Sequence, residues 1–154
     1  MSDPRILLSG MLDGTFARAQ RVLTDVSEED ARVRPQGLSP VVWQAGHITL
    51  TDARSVVRSG VPLEIPASYP GLFDTGTGGD AGYPPLATIV AFLTDVNSEM
   101  RRLALEADLN KQVEGSRSYA SVGEALAFLL YHRGYHVGKI ATLRALLGKP
   151  RVFG

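Results

Sequence analysis

The chain has three histidines and no cysteine, so thiolate metal ligands are excluded and the imidazole nitrogens are the donors to weigh. His132 and His136 stand four residues apart in Tyr131-His132-Arg133-Gly134-Tyr135-His136. With Ala125, Leu129, Ile140, Leu143 and Leu147 they mark out one stripe at helical spacing, so both rings point with the apolar face. His47 lies on the inward stripe of a second predicted helix, between Trp43 and Leu50. Two imidazoles one turn apart can grip one divalent ion, and a third from a facing helix leaves positions open for water or substrate. Three nitrogens without a thiolate suit zinc or nickel first, with iron or manganese also compatible. The competing reading makes each histidine a hydrogen-bonded core residue. The His-x-x-x-His spacing lacks the glutamate of the zinc-protease pattern and brings no ready-made general base. His47 also lies near the start of its helix while the other two lie midway along theirs. The three levels therefore meet only if the helix ends are staggered or the ion sits off centre.

Four helices must position these rings. Asp3 and Pro4 open the first, with Leu8, Leu12, Thr15, Ala19, Val22 and Val26 inward. Ser27-Glu28-Glu29-Asp30 reads as a cap and one short helical turn in a connector, ended by Pro35 and Gly37. Ser39-Pro40 opens the second helix, with Trp43, Gly46, His47, Leu50, Ala53 and Val57 inward and Asp52, Arg54 and Arg58 toward the other side. Gly60 and Pro62 stop it. Residues 61–83 hold five glycines and three prolines without a sustained period and read as loop. That length allows a crossover. Pro84-Pro85 starts the third helix, with Leu86, Ile89, Val90, Leu93, Val96, Met100 and Leu103 inward. After a polar connector, Ser121 and Glu124 form a capping-box pattern that launches the fourth, which Gly148-Lys149-Pro150 ends. The expected architecture is all-α, a four-helix bundle with a long crossover between helices two and three in up-down-down-up order. Residues 1–154 are expected to form a single domain.

Sixteen basic residues balance sixteen acidic ones without a block of either sign, which gives no support to a nucleic-acid or anionic-membrane surface. The brief apolar run after Met1-Ser2-Asp3-Pro4-Arg5, broken by Gly10 and Asp13, reads as neither a signal peptide nor a membrane span. The absence of cysteine fits a reducing compartment, and a cytoplasmic protein is expected.

The segment Ser39-Pro40-Val41-Val42-Trp43-Gln44-Ala45-Gly46-His47-Ile48 resembles helix two of the DinB-like superfamily of metal-binding four-helix bundles, in which a tryptophan and a glycine precede the first metal histidine. His132-Arg133-Gly134-Tyr135-His136-Val137-Gly138-Lys139-Ile140, then Leu143-Arg144 and Gly148-Lys149-Pro150, resembles that family's helix-four signature. The likeness covers nearly the whole chain and implies His47, His132 and His136 as a metal triad. It implies a protein like the YfiT type or the thiol-dependent S-transferases, and makes a homodimer an expectation. Two positions depart from the pattern. Lys139 stands where the family often has glutamine, and Arg133 where an acidic residue commonly follows the second ligand.

The resemblance thus implies transfer of a low-molecular-weight thiol onto a small electrophilic substrate at a divalent ion. Metal-dependent hydrolysis is the alternative, as is a non-catalytic metal- or ligand-binding bundle of the stress response. Around the triad, Trp43 is read as a core anchor or pocket wall and Arg144 as a salt-bridge partner. Tyr135 and Lys139 are read as rim residues or hydrogen-bond donors to the pocket, and Gly134 and Gly138 as a site of close approach for a helix or a ligand. The loop aromatics Tyr69, Phe73 and Tyr83 tether the loop or let it serve as a lid.

Overall fold

The computed structural model of the chain describes residues 3–78 and 82–153. It is all-helical among these, apart from one isolated bridge between Gln112 and Ser121. Helix α1 spans Pro4–Leu23, with the Asp3 carboxylate accepting from the Arg5 amide at 2.9 Å and Pro4 in the first turn, where its missing N–H costs nothing. Helix α2, Glu28–Arg32, is the short turn expected after Ser27, whose hydroxyl accepts from the Asp30 amide. Helix α3 spans Val41–Arg58 and ends where Gly60 adopts φ 96°. Helix α5 spans Leu86–Glu106, and Glu28 from the α2 connector accepts from its Leu86 amide at 2.6 Å, so one element caps another. Helix α6 spans Val122–Leu146. Its predicted capping box is reciprocal: the Ser121 hydroxyl accepts from the Glu124 amide, and the Glu124 carboxylate accepts from the Ala120 amide at 2.8 Å.

The stretch read as loop between α3 and α5 carries a further helix, α4, at Tyr69–Phe73. Hydrophobic packing overrides its glycine and proline content, because Tyr69 and Phe73 are both buried and meet edge to face at 5.0 Å. Gly79, Asp80 and Ala81 of the same stretch lie outside the described residues.

Helices α1 and α3 each pack against both α5 and α6, and α4 lies on α3. Ile48, Leu50, Ile89, Leu93 and Ile140 fill one apolar cluster, and Leu12, Val96, Met100, Leu126 and Leu129 a second. The inward stripe of α5 is as the spacing predicts, with Val90 only half-buried. Helix α3 differs. Neighbours surround its first half, so every residue from Val41 to Leu50 is buried, whereas Val57, expected inward, is 40% exposed. Asp52, expected toward the far side, is fully buried. No helix among the described residues is long and apolar enough to cross a membrane.

Candidate metal centre

Helices α3 and α6 meet in antiparallel register, with Gln44 reaching His136 and Asp52 reaching Arg133. Helix α6 has 25 residues against 18 in α3. The start of α3 therefore lies beside the middle of α6. That stagger is the condition the sequence left open, and it brings His47, His132 and His136 together with one ring nitrogen of each within 4.8 Å of the others. The Nε2 atoms of His47 and His132 are 3.2 Å apart.

Two of the rings are oriented from behind. His47 Nδ1 donates to the Phe73 carbonyl at 2.7 Å, and His136 Nδ1 donates to the Gln44 side-chain oxygen at 2.6 Å. Each bond places the ring proton on Nδ1 and turns the Nε2 lone pair toward the other histidines. Phe73 belongs to α4, so the element hidden in the apparent loop orients the first histidine. Its approach requires the glycine before His47. A Cβ on Gly46 would lie 2.3 Å from the Phe73 ring. Trp43 stacks on His47 with centroids 4.8 Å apart and is held by its indole N–H donating to Thr77 at 2.9 Å. Phe128 stacks on His132 at 5.7 Å.

Burial keeps these imidazoles neutral. Loss of water lowers His132 to about 4, aided by His47 and Arg133, and lowers His136 to about 3, aided by His132, His47 and Lys139. His47 is lowered as well, chiefly by burial, against the opposing pull of the Phe73 hydrogen bond. Three neutral imidazoles with converging lone pairs are what a divalent ion requires of a donor set. With metal–nitrogen bonds of about 2.1 Å, neighbouring ligand nitrogens lie roughly 3.0–3.4 Å apart. The His47–His132 separation falls within that interval. The Nδ1 of His132 is buried with no hydrogen-bond partner. The donor set thus fits zinc or another borderline divalent ion.

The triad opens into a cleft of about 700 Å³ whose walls include Trp43, Arg54, Asp74, Tyr119, Phe128 and Lys139. A family model described as the DinB superfamily matches residues 11–140, a span that contains α3, α5 and all three histidines. The chain belongs to the DinB superfamily. No curated protein matches it.

In this DinB protein the two departures from the expected pattern have different fates. Arg133 faces away from the cleft and is fully buried, donating to Asp52 at 2.6 Å, to Asn97 at 2.7 Å and to the Met100 sulfur at 3.1 Å. Lys139 is exposed at the rim, with its ammonium 4.7 Å from the centre of the Tyr135 ring. Arg144 lies outside the cleft lining, in a two-pronged ion pair with Asp25 and a 3.1 Å bond to the Val22 carbonyl. Gly134 and Gly138 have nothing within 4 Å of where a Cβ would stand, so neither serves a close helix approach. Sequence reasoning missed the roles of Gln44, Phe73 and Asp52. Gln44 carried a signal, since it precedes His47 by one turn on the same face.

Proposed function

We propose that this chain is a divalent-metal-dependent transferase that joins a low-molecular-weight thiol to a small electrophilic substrate, with His47, His132 and His136 as ligands. The observation that carries the reading is the convergence of three neutral imidazoles on an open cleft, two of them oriented by hydrogen bonds from behind. A divalent ion held there would supply Lewis acidity that lowers the pKa of a bound nucleophile. The protein's part is to present the ligands and wall the cleft. Phe73 and Gln44 hold the imidazoles, and Trp43 covers one side of His47. Asp74, the one carboxylate among the described lining residues, is clamped by Arg54 through two 2.9 Å bonds and is not free to act as a general base. That favours a nucleophile activated by the ion over water deprotonated by a side chain.

The same reading takes the four long helices as one up-down-down-up bundle in a single domain, with residues 59–85 as the crossover. Contacts between helix ends support it. Arg5 of α1 reaches the Ala107 carbonyl after α5, whereas Arg144 of α6 reaches Val22 of α1.

The test begins with elemental analysis of the untagged protein and its His47→Ala, His132→Ala and His136→Ala variants, alongside circular dichroism. About one divalent ion per chain, lost from each folded variant, is expected. Thiol-dependent consumption of electrophiles such as epoxides or chloroaromatics should then disappear with the ion. Absence of bound metal after reconstitution with zinc, nickel and manganese would overturn the metal reading. Turnover that does not need thiol would assign hydrolysis instead.

A further inference from the structure

The chain as a whole is electrically neutral, yet the cleft is not. Its described lining holds Arg54, Arg58, Arg117 and Lys139 against one carboxylate, Asp74, and Arg54 already engages that carboxylate in both prongs. Arg58 and Arg117 are exposed, and neither forms an ion pair among the described residues. They belong to one end of the cleft. Arg58 reaches the Tyr119 hydroxyl at 3.5 Å, Ser55 bonds the same hydroxyl at 2.8 Å, and Arg117 lies two residues before Tyr119. Arg58 is three helical turns beyond His47 on α3, or roughly 16 Å along the axis. Between the two ends Phe128 forms a continuous wall, with its ring 5.6 Å from Tyr119 and 5.7 Å from His132.

We propose that the cleft binds an elongated small molecule with three parts: a carboxylate or phosphate at Arg58 and Arg117, a short apolar middle along Phe128, and a reacting end at the three histidines. Guanidinium groups suit either anion, because their forked donors match two oxygens at once. The inference rests on the proposed metal reading only for what happens at the reacting end. Charge selection at the far end needs no ion.

Trp43 is the chain's single tryptophan and lies in the cleft wall, so its fluorescence reports occupancy directly. The probes are 8-mercaptooctanoate, 8-mercaptooctyl phosphate and neutral 8-mercaptooctanol, titrated into zinc-loaded and metal-stripped protein at low ionic strength. One or both anionic probes should bind at least tenfold tighter than the alcohol, and the tighter names the terminal group. The preference should shrink as salt rises. It should fall to about one in an Arg58→Gln/Arg117→Gln variant whose circular dichroism and alcohol affinity are unchanged. Equal affinity of all three probes for the wild-type protein would overturn the proposal, and so would a preference that survives the double substitution. The S-methyl ether of 8-mercaptooctanoate separates the two readings. If it binds zinc-loaded protein as tightly as the free thiol, the thiol reading fails while the anion site stands.

Discussion

At the scale of single residues, the three histidines depend on neighbours that carry no chemistry of their own. Gly46 admits the Phe73 ring, and Phe73 then offers the carbonyl that fixes His47. A Gly46→Ala substitution forces the Phe73 ring outward and overpacks a closed site, at a cost of about 1–3 kcal/mol. Thermal denaturation should show it, and zinc retention should weaken in the same variant. Gln44 is a cleaner probe, because leucine keeps comparable bulk and removes the oxygen. Gln44→Leu leaves His136 Nδ1 without its acceptor. Zinc affinity measured against a chromogenic chelator should drop about 10- to 100-fold, the usual effect of losing a group that orients a ligand. Gln44→Glu should restore most of it. An unchanged zinc affinity in Gln44→Leu would strip Gln44 of this role.

At the scale of helices, the register of α3 against α6 decides whether the histidines meet, and Arg133 locks that register one residue from His132. Its guanidinium joins Asp52 of α3 to Asn97 and Met100 of α5, and lies 6.0 Å from the Phe16 ring of α1. A buried pair is costly to break from one side, since the remaining charge has no water to return to. Arg133→Met should therefore destabilise the fold by about 3–5 kcal/mol in urea denaturation, whereas Arg133→Met combined with Asp52→Leu should recover most of the loss. If the double variant is no more stable than the single one, the ion pair is not the source of the cost. This pair was illegible in the sequence because helical periodicity sorts by polarity, and a buried charge looks like a surface charge until its partner 81 residues away is known. The capping box at Ser121 and Glu124 was legible because it is local. The histidines were legible as a stripe, but their meeting required the helix stagger. Helix α4 was hidden behind loop-like composition, although its two aromatics are what place the Phe73 carbonyl.

At the scale of the whole molecule, gathering three imidazoles in a buried cluster links folding to pH. Their pKa values in the folded chain lie below the ordinary 6.5, at about 4 for His132 and about 3 for His136, with His47 also lowered. Below about pH 6.5 the unfolded chain takes up protons that the folded cluster refuses, so acidification favours unfolding until the folded rings are themselves protonated. Asp52 acts in the opposite sense. Burial raises its carboxyl to about 6 against the pull of Arg133, so between its ordinary 3.8 and about 6 the folded state takes up the extra proton. Three lowered histidines oppose one raised carboxyl in that window, and the net direction is loss of stability toward acid. Metal-stripped protein should therefore melt lower at pH 5 than at pH 7, by at least about 5 °C. A triad variant such as His132→Ala should show a smaller drop. Zinc-loaded protein should show a larger one, because protons and metal compete for the same lone pairs. A melting temperature that stays level from pH 7 to pH 5 in the stripped protein would mean that the rings titrate as if exposed, and the cluster would lose the electrostatic ground for reading it as a metal centre.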